Sequence, residues 1–279
     1  MNKNTPSRKH SGTGKPGKTA GKRHYPGSRP SFKKKETEKK PEDQDSIRLN
    51  KYIANSGVCS RRDADIYIAS GNVTVNGEVI TEMGHKVSLS DMVYFDGRRI
   101  TPEKKEYVLL NKPGGFITTT KDEKGRKTVM NLISGASKSR LLPVGRLDRN
   151  TTGLLLFTND GELAKKLTHP RHGIRKLYHV VLNKNLKQED LKKIETGLTL
   201  EDGPVKVDEI SYITDAPKRE VGVTLHSGKN RIVRRIFEAL GYEVIKLDRV
   251  IFAGLTKKKL PKGTWRYLTK QEIINLKML

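Results

Sequence analysis

The sequence predicts an α+β protein with a small N-terminal domain, built from a helix pair and a hairpin, and a larger domain built around a mostly antiparallel sheet. Two helical patterns and a tight-turn signal fall within residues 47–103. In residues 104–279, strand patterns outnumber helical patterns. These strands and helices do not alternate regularly, which disfavours a parallel βαβ architecture.

The first 46 residues differ in composition from the rest of the chain. Their apolar members are Met1, Ala20, Tyr25 and Phe32, and the segment carries a net charge of +8. Such a segment cannot bury enough apolar surface to offset its ordering entropy, so we predict a disordered basic tail over residues 1–46. Two interpretations stay open: an arm that adds salt-dependent affinity for nucleic acid, or a solvated tail.

Three short signals predict the small domain, residues 47–103. In IRLNKYIANSG the apolar residues recur near helical spacing, and Gly57 ends this first helix. Ser60 is the expected N-cap of a second helix. The candidate buried stripe of that helix is Ala64, Ile66, Tyr67 and Ile68. Asn76-Gly77 then joins two alternating runs, which is a strong hairpin signal.

The large domain, residues 104–279, combines both periodicities. Its expected strands are YVLLNKP, FITTT, LLLFTND, LYHVVL, VDEISYI, REVGVTL, VIKLDRV and TWRYL. Its expected helices are GELAKKL, KQEDLKKIETG, KNRIVRRIFEALG and TKQEIINL. One face of the third helix is apolar, and Gly241 ends that helix. The members of this face are Ile232, Val233, Ile236, Phe237 and Leu240.

The charge balance indicates a polyanionic partner. The 279 residues carry a formal net charge of +25, of which +17 lies in residues 47–279. A folded part this basic is expected to bind nucleic acid. No apolar run exceeds four residues, so we expect no membrane span and no signal-peptide core. The single cysteine, Cys59, excludes a disulfide scaffold and makes a cytoplasmic location the default expectation.

The familiar catalytic motifs are absent from residues 47–279. This part of the sequence has no phosphate-binding loop ending in GK[ST], no dinucleotide fingerprint after a strand and no serine-nucleophile elbow. His169, His172 and His179 cluster, but their spacing is not that of a helical metal motif and no cysteine accompanies them. We therefore expect no zinc site.

Three basic residues of the small domain are candidate RNA contacts. Lys51 lies on the first helix, whereas Arg61 and Arg62 lie in the first turn of the second. Cations at a helix N-terminus are unfavourable for the helix dipole, but a bound phosphate would satisfy both the arginines and the free N–H groups. An ordinary solvated face is the alternative interpretation.

The segment GRLDRNTTG is the most unusual part of the large domain. Arg146 and Asp148 are two residues apart, so in an extended chain both side chains project from one face. The residues alone leave two interpretations open. Asp148 is either a functional carboxylate at the edge of a buried strand or a turn former with Asx-type hydrogen bonds.

Longer segments resemble two known families. RLNKYIANSGVCSRRDADIYIASGNVTVNG is similar to the small RNA-binding domain first recognised in a ribosomal small-subunit protein. GRLDRNTTGLLLFTNDGELAKKLTHPR closely resembles the signature of RNA pseudouridine synthases, in the branch that acts on bacterial ribosomal RNA. Further matches, in the expected order, are YVLLNKPGGFITT, RKLYHVVL and SGKNRIVRRIFEALGYEVIKLDRVIFAGL.

The resemblance implies an isomerase that detaches a uracil from its ribose, rotates it and rejoins it through carbon-5, without a cofactor or metal. The expected substrate is 23S ribosomal RNA, free or within pre-ribosomal particles. We expect a monomer, because no self-complementary apolar patch can be identified in the sequence. The alternatives are a synthase acting on 16S ribosomal RNA or transfer RNA, and a non-catalytic, ribosome-associated RNA-binding protein on the same fold.

The resemblance also implies roles for individual residues. Asp148 would be the essential carboxylate, acting either as a nucleophile or by stabilising charge and removing a ribose proton. Either role needs an ionised carboxylate in a pocket that excludes water. Burial without a cation favours the protonated form, so Arg234 would pair with Asp148. Arg231 or Arg235 is instead expected to face phosphate.

Two further residues would handle the flipped nucleotide. Arg146 would fill the space that the target base vacates in the RNA, and Tyr178 would pack against the uracil. Two lysines have two interpretations each. Lys112 is either a functional residue or part of a structural turn. Lys176 is either a residue of the pocket or a phosphate contact.

Overall fold

The structure is a computed structural model that describes residues 46–279, which belong to one compact unit. The predicted basic tail therefore lies outside the described residues, apart from Ser46. None of the helices within the described range is both long enough and apolar enough to cross a membrane.

The small domain has its own apolar core and a four-stranded antiparallel sheet with strand order β3-β2-β5-β6. Strands β1 and β4 form a separate antiparallel pair. The elements are β1 (Ile47–Arg48), α1 (Leu49–Asn55), α2 (Arg61–Ala69), β2 (Val73–Val75), β3 (Glu78–Val79), β4 (Lys86–Val87), β5 (Val93–Phe95) and β6 (Arg98–Ile100). The core sits between the two helices and the sheet.

Local sequence signals explain the start of α2 and the hairpin. The Ser60 hydroxyl accepts a hydrogen bond from the backbone N–H of Asp63, and the Asp63 carboxylate accepts one from the Ser60 N–H. This reciprocal pair is the capping box that fixes a helix N-terminus. Asn76 and Gly77 both have positive φ, as a two-residue hairpin turn of this type requires.

The predicted buried stripe of α2 is wrong at two positions. Ala64 and Ile68 are buried, as expected, but Ile66 is 65% exposed and Tyr67 is 39% exposed. Residues four apart share one helix face, and at about 100° per residue Ile66 lies far around from both of them. Tyr67 instead packs edge-on against Phe95.

The large domain is built on a nine-stranded sheet with strand order β13-β14-β10-β15-β9-β7-β17, to which β16 adds on β15 and β8 on β9. The strands of the domain are β7 (Tyr107–Lys112), β8 (Leu142–Pro143), β9 (Thr152–Thr158), β10 (Lys176–Leu182), β11 (Leu198–Leu200), β12 (Gly203–Val205), β13 (Glu209–Tyr212), β14 (Glu220–Leu225), β15 (Val244–Phe252), β16 (Leu255–Thr256) and β17 (Trp265–Tyr267). Strands β11 and β12 lie outside the nine-stranded sheet and form a separate antiparallel pair. The helices are α3 (Val129–Leu132), α4 (Gly161–Thr168), α5 (Gln188–Thr196), α6 (Ile232–Glu238) and α7 (Lys270–Met278), with a short 3₁₀ turn at Pro170–His172. The pairings are antiparallel except for β9 with β15, so the expectation of a mostly antiparallel sheet is confirmed.

Strands β7 and β9 are buried on both faces. Tyr107 and Leu109 of β7 contribute to one apolar cluster, whereas Val108 and Leu110 contribute to another. A strand covered on both sides has no solvent face, which explains why its sequence is continuously apolar rather than alternating.

One expected strand is wrong. FITTT, residues 116–120, forms no strand, and Ile117 makes only an isolated bridge to Thr128. The segment is a loop in which the Thr118 hydroxyl donates a hydrogen bond to the Leu147 carbonyl oxygen at 2.8 Å. This β-branched segment thus holds a loop that is adjacent in space instead of joining the sheet.

The parallel contact between β9 and β15 depends on Gly153. Its φ is +105°, and a Cβ added there would lie 2.3 Å from the carbonyl oxygen and 2.5 Å from the nitrogen of Arg249. Only glycine permits this approach of two backbones. It places the beginning of β9, just after Asp148, against the strand that carries Arg249.

Candidate active site

A cavity of about 200 Å³ lies where five parts of the large domain meet. These parts are the turn before β9, the end of α4, the start of β10, the segment that leads into α6, and β15. The charged residues and the tyrosine in its wall are Arg146, Asp148, Lys176, Tyr178, Lys229, Arg231 and Arg249. Three of the residues that the sequence predicted for the site, Arg146, Asp148 and Tyr178, therefore share one cavity.

Asp148 lies in a turn, residues 145–151, that we call the Asp148 loop. The buried ammonium of Lys112 holds this loop by donating to the carbonyl oxygens of Asp148, Arg149 and Thr151, at 3.1, 3.1 and 2.8 Å. It also donates to the Pro113 carbonyl at 3.1 Å. Lys112 has no solvent exposure. The loop backbone is thus fixed from beneath.

Burial lowers the pKa of Lys112 to about 8, and the nearby negative charge of Asp148 opposes this shift. A lysine with that pKa is still mostly charged at neutral pH. Its positive charge faces the carbonyl ends of four peptide dipoles in the interior. The structural interpretation of Lys112 is therefore supported, with the added consequence that it positions the carboxylate-bearing loop.

The cation beside Asp148 is Arg231, and the predicted Asp148–Arg234 pair is wrong. Nη1 of Arg231 lies 4.0 Å from Oδ2 of Asp148. Arg234 instead donates from Nη1 to the carbonyl oxygen of Val244 at 2.7 Å. Arg231 precedes the first turn of α6 with a left-handed φ of +48°, which turns its side chain away from the direction that a helical residue would take.

Residues 226–231, here called the Arg231 loop, are held at both ends. Lys176 donates to the carbonyl oxygen of His226 at 2.7 Å. At the other end Lys229 donates to the Asp202 carbonyl oxygen at 3.0 Å. The Asp202 carboxylate also accepts two hydrogen bonds from Arg235, at 2.7 and 3.0 Å, and these hold its pKa at about 2. Asp202 therefore ties the loop and α6 to the β11–β12 hairpin.

The remaining wall of the cavity is aromatic and cationic. Tyr178, on β10, is 9% exposed. Arg249, on β15, is buried, donates twice to the Leu154 carbonyl oxygen, and lies over the Phe252 ring at 4.5 Å. Burial and the charge of Arg249 lower the pKa of Lys176 to about 8, against the opposing effect of Asp208. The sequence reasoning missed Arg249, although a charged residue at a buried register of a strand is a signal that could have found it.

The cavity does not exclude water in the free protein. The side chain of Asp148 is 37% exposed, and that of Arg231 is 46% exposed. The expectation of a water-excluding pocket is thus not met by the protein alone. Covering both groups requires another molecule or a movement of the flanking loops.

The three candidate RNA contacts of the small domain have different surroundings. Nζ of Lys51 forms an ion pair with Glu162 of α4 at 2.6 Å, so it links the two domains. Nη2 of Arg61 donates to the Asn50 side chain at 3.2 Å, and Arg62 is exposed. Of the three, Arg62 is the freest to meet a phosphate.

Within the described range, no group of three or more His, Cys, Asp or Glu side chains is arranged to hold a metal ion. His179 instead contacts Glu220 at 2.9 Å, and His169 and His172 pack edge to face. The three histidines therefore do not converge.

Comparisons with known families and structures agree with this fold. Residues 106–239 match the family described as RNA pseudouridylate synthase, and residues 47–93 match the S4 domain. The chain belongs to the RNA pseudouridine synthase family, whose members are isomerases, and it carries an RNA-binding S4 domain at its N-terminal side.

Individual relatives match over most of the chain. The ribosomal large subunit pseudouridine synthase B of Bacillus subtilis (strain 168) is 44% identical over 235 residues, covering 83% of this chain and 96% of the relative. The dual-specificity RNA pseudouridine synthase RluF of Escherichia coli (strain K12) is 37% identical, covering 83% and 78%. A crystal structure of a pseudouridylate synthase superposes with a TM-score of 0.58 at 31% identity, covering 82% of this chain and 99% of that one.

Proposed function

We propose that this enzyme converts a uridine of 23S ribosomal RNA to pseudouridine in the cavity around Asp148. The observation that carries the proposal is the convergence of Arg146, Asp148 and Tyr178, with Arg231 facing the carboxylate. The large-subunit substrate follows from the similarity to the B. subtilis enzyme. Because the E. coli relative has dual specificity, a second RNA substrate, such as 16S ribosomal RNA or a transfer RNA, is the alternative.

The reaction is a rearrangement with no net change in atoms. The bond between N1 of uracil and C1′ of ribose breaks, the base rotates, and a bond forms between C5 and C1′. C5 loses a proton and N1 gains one, so the numbers of atoms and electrons are unchanged. The carboxylate of Asp148 acts as nucleophile or as charge stabiliser and ribose base, and the guanidinium of Arg231 lies 4.0 Å from it.

The other cavity residues hold the nucleotide. The uridine must leave its stack, which costs a few kcal/mol. Tyr178 packs against the extruded uracil, a contact worth about 1–3 kcal/mol. Arg146 is exposed at the cavity mouth, where its planar guanidinium fills the vacated space in the RNA. The bound RNA then covers Asp148 and Arg231.

A map of pseudouridine across ribosomal and transfer RNA tests this function. The map compares cells with the gene intact, deleted, or replaced by Asp148→Asn. One large-subunit site that vanishes in both altered strains is the expected result. Asp215→Asn, the same chemical change in an exposed turn, is the matched control and should leave the map intact. An unchanged map in the deletion strain contradicts the proposal, and a lost site outside 23S supports the alternative substrate.

We further propose that the protein is a monomer, that it is cytoplasmic, and that it acts on free RNA or on pre-ribosomal particles. The exposed basic residues Arg61 and Arg62 are proposed to position the RNA through phosphate contacts that carry no sequence information.

A further inference from the structure

A second, strongly basic groove of about 390 Å³ lies beside the cavity, along α4 and the 3₁₀ turn that follows it. Its charged and imidazole side chains are Lys105, Asp160, Glu162, Lys165, Lys166, His169, Arg171, His172 and Lys277. We call it the α4 groove. Nothing in the proposed reaction uses these residues.

The negative charges of the α4 groove are already neutralised. The buried Asp160 carboxylate accepts from Lys105 at 3.0 Å and from the Tyr107 hydroxyl at 2.8 Å. Glu162 pairs with Lys51 at 2.6 Å. No carboxylate of residues 46–279 lies within 4.0 Å of the four remaining cationic side chains, which are Lys165, Lys166, Arg171 and Lys277. The groove thus carries uncompensated positive charge.

Stabilisation of the helix does not account for all of this charge. Lys165 and Lys166 lie in the last turn of α4, where cations interact favourably with the helix dipole. Lys277 likewise lies in the last turn of α7, and its carbonyl oxygen accepts a hydrogen bond from the Lys166 ammonium at 2.8 Å. Arg171 lies beyond α4, in the 3₁₀ turn, so the dipole of α4 does not account for it. The four cations share one groove, and their combined field favours an anionic ligand.

Arg171 is oriented for such a ligand. Its Nε donates to Nε2 of His172 at 3.0 Å, and its backbone N–H donates to Nδ1 of His169. Burial, followed by the charge of Arg171, lowers the pKa of His172, so its ring stays neutral and accepting at neutral pH. With Nε occupied, the two terminal nitrogens remain for a phosphate, which a guanidinium binds in a two-point geometry.

Helix α4 connects the groove to the catalytic cavity. Leu167 and Thr168 line the cavity, whereas Lys165, Lys166 and the adjacent His169 line the groove. At the other end of α4, Glu162 meets Lys51 of the S4 domain. A polyanion that leaves the cavity over Thr168 therefore meets the groove before it reaches the S4 domain.

We propose that the α4 groove binds backbone phosphates of the RNA strand next to the target uridine and guides that strand from the cavity toward the S4 domain. This inference rests on the proposed function for the identity of the RNA. The groove strengthens RNA binding and fixes the position of the strand relative to the cavity, and it takes no part in bond making or breaking.

The test uses the full chain and an in vitro 23S transcript that carries tritium at uridine C5. Because C5 gives up its hydrogen when it bonds to C1′, product formation releases tritium to water. Lys165→Glu and Arg171→Glu are compared with Lys192→Glu, the same charge change on an exposed position of α5 that lines neither the cavity nor the groove. Lys165→Gln and Arg171→Gln remove the charge without reversing it, and thermal melting checks that every variant folds.

Each groove variant to Glu should raise KM and the dissociation constant for the transcript about five- to tenfold, with kcat within about twofold. The slope of log affinity against log salt should fall by about 0.7–0.9 for each lost phosphate contact. The Gln variants should show smaller changes in the same direction, and Lys192→Glu should match the wild type within about twofold.

Groove variants that bind the transcript like Lys192→Glu, with an unchanged salt slope, overturn the inference. If such variants lose modification in cells alone, the groove belongs to a protein partner, which also contradicts it. The proposed function fails separately: wild-type protein would then bind the transcript without releasing tritium, while the dissociation constants of the variants would still decide the role of the groove.

Discussion

The Asp148 loop and the Arg231 loop face each other across the cavity, but they are held in different ways. The Asp148 loop is fixed from the interior, where fully buried Lys112 donates to four carbonyl oxygens. The Arg231 loop depends on side chains nearer the surface, and Asp202, its main anchor, is 46% exposed. The fold therefore fixes the backbone that carries Asp148 firmly, whereas Arg231, the cation that faces it, is held less firmly.

The distance between Asp148 and Arg231 is consistent with this difference in how firmly the two loops are held. A charge-assisted hydrogen bond is about 2.7–2.9 Å long, whereas Arg231 lies 4.0 Å from Asp148. Because the Arg231 loop is the more weakly held of the two, we expect this loop to move when RNA covers the cavity. Variants in the interior should therefore affect stability, whereas variants near the surface should affect turnover.

The largest loss of stability is expected at Gly153, which sets the position of the Asp148 loop against β15. Gly153→Ala would place a Cβ 2.3 Å from the Arg249 carbonyl oxygen at a φ of +105°, and we expect a loss of about 3 kcal/mol or more. Gly125→Ala is the control, because Gly125 also has a positive φ but has open space around it. That control should cost about 1–2 kcal/mol. Equal losses in urea unfolding would contradict the close-approach argument.

Lys112→Met should lower the free energy of unfolding by about 2–4 kcal/mol, since it leaves buried carbonyl oxygens without a donor. The turnover rate should fall as well, because the Asp148 backbone loses its support. Lys104→Met, at an exposed position nearby, is the matched control. Denaturant unfolding tests whether Lys112 holds the loop. If both variants unfold at the same denaturant concentration, Lys112 does not hold it.

Asp202→Asn should affect turnover more than it affects stability. We expect kcat to fall roughly tenfold, because the side chain of residue 202 loses the charge that binds Arg235 and that lies 3.5 Å from Lys229, so the Arg231 loop and α6 are held less firmly. Stability should change by less than about 1 kcal/mol. Asp215→Asn controls for the chemical change. Steady-state kinetics with the tritiated transcript would separate the outcomes, and a kcat equal to that of the control would show that the anchor has no bearing on turnover.

The smallest expected effect is a pH dependence from Lys176. Its pKa is lowered to about 8, so it is charged below that pH and the cavity loses a positive charge as the pH rises through it. KM for RNA should therefore rise about threefold between about pH 7 and 9. Lys176→Gln carries no titrating group there and should give a higher but flatter KM. A wild-type rise that persists in this variant would assign the effect to another group.

The elements that follow from local chemistry could be predicted from the sequence. The N-cap at Ser60 and the Asn76-Gly77 turn depend on neighbouring residues alone, and both are confirmed. The apolar face of α6 is confirmed as well, because Ile232, Val233, Ile236 and Phe237 are buried. The prediction of a strand at FITTT is wrong because hydrogen bonds to a loop that is distant in sequence outweigh the strand preference of its β-branched residues.

The candidate site was predicted only in part. Arg146, Asp148 and Tyr178 meet in one cavity, but which arginine of RIVRR faces Asp148 depends on the left-handed backbone at Arg231, and nothing local in the sequence indicates that conformation. Lys112 and Arg249 were not assigned to the site for a related reason. Each acts through carbonyl oxygens of residues distant in the chain, so their contacts emerge only once the sheet has formed.

We propose that Asp148, held by Lys112 and faced by Arg231, carries the isomerisation. Tritium release from the 23S transcript by wild type and Asp148→Asn tests this, with the dissociation constant of each measured on the same RNA. We predict no release by Asp148→Asn and an affinity within about threefold of wild type, because phosphate contacts rather than the carboxylate position the RNA. Turnover by Asp148→Asn near the wild-type rate would contradict the claim.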